Sequence, residues 1–369
     1  MDQLEAPKAV QQRVAIIGPT GQLITRLRGG LIRDLVARNV QVLALAPDMR
    51  AEDAQALMAL GAEAAGFAIK TEGFSLMPGQ VILRALADRI KAFWPHGVLV
   101  FGASIAPLAV KAARHAGVAK TVLIVSEMGT RKPDLAMSRA LKSASTVVAH
   151  NRDDYQALAR QGFNGRAGKL VRVAGAGADL AALNGLAVPG LQDGVVFLMA
   201  ARLDKEKGAH DFCEAAQMLK GEGLPAQFLL AGPDGSGAGA LKPEDLSRYA
   251  ACVEFLGDAA DLRVALQRSH VFVSPSHHEG MPHAVQQAMA AGRPVIVTDV
   301  AGSRETVDEF VNGILVPPRD PKALGEAMRR IVKHKDMLAA LGRASRAKAE
   351  RQFDMTTVNA DLRAALGLA

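Results

Sequence analysis

The 369-residue chain is poor in several things, and each shortage narrows what it can be. It has 2 cysteines and 1 tryptophan, and aromatic residues make up only 4% of it. Cys213 and Cys252 stand far apart and lack metal-ligand spacing. A disulfide framework is therefore not expected, and both residues fit buried thiols in a reducing compartment. No apolar run is long enough to cross a bilayer. No early stretch combines a charged start, an apolar run and a small-residue cleavage site. A secretory leader is thus not expected, and a cytoplasmic location is. There is no short-period repeat.

What is present is a chain long for one core, so two domains are expected. Its net charge of +7 is uneven. Met1 to Leu183 carries 23 Lys and Arg against 14 Asp and Glu, and the remainder carries 21 against 23. From charge alone a basic first half reads first as a solvated surface, and second as a face for anionic lipid or anionic ligands.

Apolar runs and helical periods alternate along the chain. Runs at 13–18, 41–46, 63–68, 97–101, 121–125, 146–150 and 170–173 read as strands. Between them lie helical patterns at 26–38, 51–60, 78–93, 106–116, 135–144 and 152–161. In the first, Leu27, Leu31, Leu35 and Val36 are expected inward and Arg26, Arg28, Arg33 and Arg38 outward. The stretch 184–194, NGLAVPGLQDG, has linker composition. A second series follows, with strands at 195–200, 227–231, 253–256, 271–273, 295–297 and 313–316. Its helices fall at 209–220, 261–268, 282–291, 321–333, 335–352 and 354–366. Strand–helix alternation means a parallel sheet with helices on both faces, here twice. The expected domains are 1–183 and 184–352, with a C-terminal helix at 353–369.

The chemistry gathers in VFVSPSHHEGMPHAVQQAMAAGRPVIVT, Val271 to Thr298. This reads as strand, polar turn, helix, strand, with Pro282 in the first helical turn and Gly292 ending the helix. Glu279 stands beside Gly280, where the first helical amides are unpaired and attract anions, phosphate above all. A carboxylate there suits hydroxyls next to a phosphate, or a simple helix cap. A second cluster, ARLDKEKG at 201–208, follows another strand. Arg202 and Lys207 suit a diphosphate, the first as a bidentate fork and the second as a point charge. Alone, the run reads more readily as a solvated mixture of charges. The loop GPTGQLI at 18–24 is like a dinucleotide turn, but Ile24 occupies the third glycine position. That weakens a nicotinamide-cofactor reading while leaving room for another phosphate at Gly21. His277, His278 and His283 surround Glu279, but the spacing is one residue too long for H-E-x-x-H and Gly280 and Pro282 interrupt it. A polar rim to a sugar pocket suits His278 and His283 better than zinc.

The segments ARLDKEKG at 201–208, FLG at 255–257, PSHHEGMPHAVQQAMAAGRPVIVTDVAGSRETV at 275–307 and NGILVPPRDPKAL at 312–324 together resemble family 4 glycosyltransferases of the GT-B fold. Looser likeness in RLRGGLIRDL at 26–35, LAPD at 45–48, HNRDD at 150–154 and GAGADL at 175–180 suggests the branch that elongates cell-surface polysaccharides. The resemblance implies an α/β chain of two Rossmann-like parallel-sheet domains facing across a cleft. It implies a retaining, metal-independent transfer of a sugar from a nucleotide diphosphate sugar to a glycan hydroxyl, on a lipid-linked acceptor. No cofactor or metal is implied, and the chain has no Asp-x-Asp motif. Arg202 and Lys207 match the cations that hold the donor diphosphate, and Glu279 matches the first carboxylate of the E-x7-E pattern, which binds sugar hydroxyls. Gly280, Met281 and Pro282 fall beside the distal phosphate, and Glu305 and Thr306 in the loop near the donor. The second Glu of the pattern is replaced by Gln287, which keeps one carbonyl acceptor for the ribose and loses the charge. The acceptor-side residue many relatives carry is missing from Phe101-Gly102-Ala103-Ser104. The expected partners are a nucleotide sugar, a glycan or polyprenyl-linked glycan, and an anionic membrane surface met by the basic first domain; nucleic acid is not expected. Rival readings are a nucleotide-sugar epimerase of the same fold, a catalytically weak sugar-nucleotide-binding scaffold, and the nicotinamide dehydrogenase suggested by Gly18 to Gly21.

Overall fold

The computed structural model describes residues 11–47, 49–67, 78–126, 132–163, 169–235, 239–258 and 261–368. The loops expected to set specificity, 69–79 and 126–133, lie largely outside the described residues, as do residues 1–10 and Asp48 of the LAPD segment.

The first series forms β1 (Arg13–Ile17), α1 (Gly21–Ala37), β2 (Gln41–Pro47), α2 (Ala51–Ala59), β3 (Glu63–Phe67), α3 (Pro78–Phe93), β4 (Gly97–Phe101), α4 (Ala106–His115), β5 (Lys120–Val125), α5 (Leu135–Ser143), β6 (Thr146–Ala149), α6 (Arg152–Arg160) and β7 (Lys169–Arg172). Its strands pair in parallel in the order β3-β2-β1-β4-β5-β6-β7. The second series forms β8 (Val195–Ala200), α7 (Ala209–Gly221), β9 (Ala226–Ala231), α8 (Pro243–Tyr249), β10 (Glu254–Phe255), α9 (Leu262–Gln267), β11 (Val271–Ser274), α10 (His283–Ala290), β12 (Val295–Thr298), α11 (Ala301–Arg304), β13 (Gly313–Val316), α12 (Pro321–Lys333), α13 (Leu338–Gln352) and α14 (Met355–Leu366). Its sheet runs β10-β9-β8-β11-β12-β13, again all parallel.

The chain forms two compact units. The first takes in Met1–Ala149, Tyr155–Val173 and Asn359–Ala369, and the second His150–Asp154 and Ala174–Val358. The second unit begins before the expected linker because Ala174 and Ala178 are built into it. Ala174 O accepts from Gln286, and Ala178 exchanges backbone hydrogen bonds with Phe353 and Met355.

Period-2 alternation builds both faces of the second sheet. Val195, Phe197 and Met199 of β8 point to a core with Phe212 of α7 and Met328 of α12. Val196 and Leu198 point to the opposite core, with Val285 and Met289 of α10 and Ala349 of α13. The stretch of linker composition is tied down as well. The buried Arg293 guanidinium donates to the carbonyls of Leu186, Ala187, Leu266 and Ala291, and burial lowers it to about 10.

Three sequence expectations need correction. Helix α1 starts at Gly21 and not at Arg26, because Thr20 caps it by accepting from Leu23 N at 3.1 Å. Arg28 is buried, not outward. Ile24, Arg28, Leu31 and Leu35 share one helical stripe, and the guanidinium lies 5.3 Å from the centre of the Phe101 ring. Burial lowers this guanidinium too, to about 10. Pro282 is the cap of α10 and not its first residue. The first cysteine fits the expected buried thiol, and burial pushes Cys213 up to about 12.

Candidate functional site

In a doubly wound sheet, ligands collect where neighbouring strands send their connections in opposite directions, beyond the carboxyl ends. In the second sheet that point lies between β8 and β11, which pair directly. The segments leaving those strands are Ala201–Gly208 and Pro275–Pro282. These are the two clusters singled out in the sequence, and the fold brings them together.

Their central contact is an ion pair. Lys207 Nζ lies 2.6 Å from Glu279 Oε2, with both side chains mostly sequestered from solvent. Arg202 is held differently, by a hydrogen bond to the buried Asp204. Asp204 also accepts from Lys207 N at 2.9 Å, which caps the single 3-10 turn Lys205–Lys207. One carboxylate thus holds the Arg202 guanidinium and the backbone of Lys207, although by residue type it reads as part of a charge run. Gly208 ends the turn at φ 76°, and a Cβ there would stand 2.1 Å from Pro275 O. Only glycine lets the two segments approach so closely.

The loop after β11 is stapled from below. His277 N donates to Glu206 O at 2.8 Å, and the buried His277 ring lies 2.8 Å from Asp211 Oδ2 in the first turn of α7. Thr298 Oγ1 donates to Ser276 O. Glu279 O accepts from Gly302 N at 3.0 Å. The next carbonyl, Gly280 O, accepts from the buried Asn151 Nδ2 at 2.6 Å. Past Gly280 and Met281, Pro282 caps α10, whose first amides are the unpaired donors of a helix start. The helix dipole adds positive potential at the same place.

The remaining expected residues are distributed as follows. His278 is exposed, 3.9 Å from Glu206 Oε2, and His283 is half-buried at the start of α10. Gln287 is half-buried one turn further along α10. Glu305 accepts from Arg152 N. Thr306 is fully buried, and its hydroxyl donates to Ser303 O at 2.7 Å, so it faces its own helix end. Gly21 belongs to the first unit, where a Cβ would meet Asp53 Cβ at 2.5 Å and Met49 Sδ at 2.6 Å. Its smallness has a packing reason there. Among the described residues no three His, Cys, Asp or Glu side chains gather as a metal ion requires. No described helix is long and apolar enough to cross a membrane.

The architecture is shared with known structures. A crystal structure of Anabaena Alr3699/HepE in complex with UDP and glucose superposes with a TM-score of 0.76 at 18% identity, covering 96% of this chain and 99% of that one. The fold class is GT-B. Residues 194–334 match the family model of glycosyl transferases group 1. An N,N'-diacetylbacillosaminyl-diphospho-undecaprenol alpha-1,3-N-acetylgalactosaminyltransferase of Campylobacter jejuni is 34% identical over 131 residues, 36% of this chain and 34% of that protein. The capsular polysaccharide biosynthesis glycosyltransferase CapM of Staphylococcus aureus is 26% identical over 171 residues, 44% of this chain and 43% of CapM. The chain thus matches less than half the length of either relative.

Proposed function

We propose that the protein is a retaining, metal-independent glycosyltransferase of family 4 type. It moves a sugar from a nucleoside diphosphate sugar to a hydroxyl of a lipid-linked glycan. The observation that carries this reading is the Lys207–Glu279 pair at the β8/β11 switch point, beside Arg202 and the start of α10. Diphosphate leaves with negative charge, and Arg202, Lys207 and the helix N-terminus offset that charge without a divalent cation. Glu279, acceptor-only when ionised, takes hydrogen bonds from donor-sugar hydroxyls. The backbone of Gly280 and Met281 lies at the distal phosphate, with Pro282 shaping the turn. The Gln287 carbonyl accepts from a ribose hydroxyl, and Glu305 completes the donor side. His278 and His283 form the polar rim.

The names of the relatives support the acceptor class, since the Campylobacter protein is described as acting on an undecaprenol diphosphate glycan. The basic first half supports a cytoplasmic enzyme resting on an anionic membrane. Co-sedimentation with vesicles should therefore increase with their content of anionic lipid; binding independent of that content would count against the membrane assignment.

The test is a thermal-shift screen with uridine and guanosine diphosphates and their sugars, because a ligand bound only by the folded state raises its stability. At least one diphosphate sugar is expected to raise the melting temperature. Glu279→Ala should remove the sugar's share of that shift more than the nucleotide's. Failure of every ligand to shift the wild type would defeat the reading, and product analysis with donor alone separates transfer from epimerisation.

A further inference from the structure

The segment Asn151–Asp154 lies between β6 and α6, in the middle of the first strand–helix series, yet it groups with the second unit. No part of the proposed reaction uses it. Its side chains nevertheless reach both loops that carry donor-side residues. Asn151 Nδ2 donates to Gly280 O at 2.6 Å and to Asp154 Oδ2 at 2.8 Å, while Asn151 Oδ1 accepts from Asp154 N at 2.7 Å. Arg152 N donates to Glu305, and Asp153 Oδ2 pairs with Arg304 at 2.6 Å. Asn151 and Asp154 are fully buried.

From this network we infer that Asn151 is a positioning residue for Glu279, on which the proposed donor-sugar contact rests. Two successive carbonyls fix the peptide planes on either side of Gly280, the first of which is also the plane that follows Glu279. Glu279 O is held by Gly302 N, and Gly280 O by the Asn151 amide. Gly302 leaves no room for movement towards it, because a Cβ there would already stand 2.0 Å from Gly280 O. With both planes held, the backbone that follows Glu279 is anchored while its side chain is directed towards Lys207. A buried carbonyl that loses its donor seeks another partner, and the nearest way to one is rotation of the Gly280 peptide. Gly280 would pass that rotation on to the 279–280 plane, and the direction of the Glu279 carboxylate towards a bound sugar would shift with it. Arg202, held by Asp204, and the backbone of Lys207, capped by the same carboxylate, would stay in place. The loss should therefore fall on the sugar and spare the nucleotide.

The inference rests on the proposed nucleoside diphosphate sugar site, and its test separates the two. Calorimetric titration of the full-length protein would use UDP-glucose, UDP-N-acetylglucosamine and GDP-mannose, each beside its sugar-free diphosphate. Two variants serve. Asn151→Ala removes both the Gly280 bond and the cap on Asp154 N, and Asn151→Ser keeps a capping oxygen but is too short to reach Gly280. Both should weaken the tightest-binding diphosphate sugar about tenfold while changing the matching free diphosphate less than about twofold. Asn151→Ser should do so with the smaller fall in melting temperature. Equal losses for sugar and sugar-free ligand, or no loss in either variant, would overturn the positioning role. Wild type that binds none of the nucleotides would instead overturn the donor site itself, and the positioning role with it.

Discussion

The two sheets share one grammar and differ at the same point of it. Each has a switch point where strand order reverses, between β1 and β4 in the first unit and between β8 and β11 in the second. In the first unit that point is filled by packing. A Cβ on Gly18 would strike Ile24 and the Phe101 ring at 2.6 Å, and one on Gly102 would strike Pro19 at 2.2 Å. Behind Phe101 lies the buried Arg28. In the second unit the same point holds Arg202, Asp204, Lys207 and Glu279. Topology therefore offers a site twice, and side-chain chemistry takes up the offer once. The close approach at Gly208 serves charged groups, whereas that at Gly102 serves an apolar lock.

The contrast breaks most sharply at Lys207. Lys207→Ala should lower transfer about 10²–10³-fold, since it removes a cation aimed at developing charge and leaves Glu279 without its partner. A comparable rate in a steady-state assay with saturating donor would place the chemistry elsewhere. Next in size are the two glycines. Gly208→Ala and Gly102→Ala should each cost about 1–3 kcal/mol of stability, from positive φ (76° and 92°) and backbone or proline contact. Denaturant melts measure that loss, and only Gly208→Ala should also weaken nucleoside diphosphate binding. Equal effects of the two on binding would dissolve the distinction between the switch points.

Arg28 gives a smaller and signed effect. Burial lowers its guanidinium from the ordinary arginine range to about 10, which disfavours the charged form in the fold. Below about pH 10 the desolvated charge opposes folding, and that cost fades as pH rises above 10 towards the ordinary arginine range. Arg28→Met, of similar length, should leave stability within about 1 kcal/mol of wild type, or above it, at neutral pH. A loss of several kcal/mol would mean that its polar contacts outweigh desolvation. Gln287→Glu should act least, tightening binding of a ribonucleotide about three- to tenfold and leaving a 2′-deoxyribonucleotide less affected. No difference between the two sugars would remove Gln287 from the ribose contact.

Most strands and helices were legible because each is a local pattern. Runs such as Val195–Ala200 and Val295–Thr298 are buried on both faces and so are continuously apolar, as parallel strands must be. Asp320 followed by Pro321 is the cap chemistry of a helix start, and Asp320 does accept from Ala323 N at 2.9 Å at the head of α12. Where the reading failed, a residue's type contradicted its position. Arg28 has the charge of a surface residue and the spacing of a core one, and spacing won. Lys207 and Glu279 were legible as separate candidates because each follows a strand and carries charge. Their contact was not legible, nor were Asp204 as the bracket of both cations, His277 on Asp211, and Asn151 on Gly280. Those depend on which strand ends become neighbours, and no local pattern encodes that.

The division into units has a further consequence for how this chain can be taken apart. Residues 150–154, 174–183 and 359–369 all sit outside the unit that a cut near residue 184 would assign to them. A fragment beginning at Asn184 would lack the Asn151 donor to Gly280 and the Ala174 acceptor for Gln286. A fragment ending at Leu183 would lack the Leu366 contact beside Gly97 and the Arg363 partner of Asp34. The half that holds the charged switch point is therefore not a cassette to be expressed or grafted alone. Its boundaries are stitched through the chain at several places, and domain exchange between relatives would have to move every stitch together.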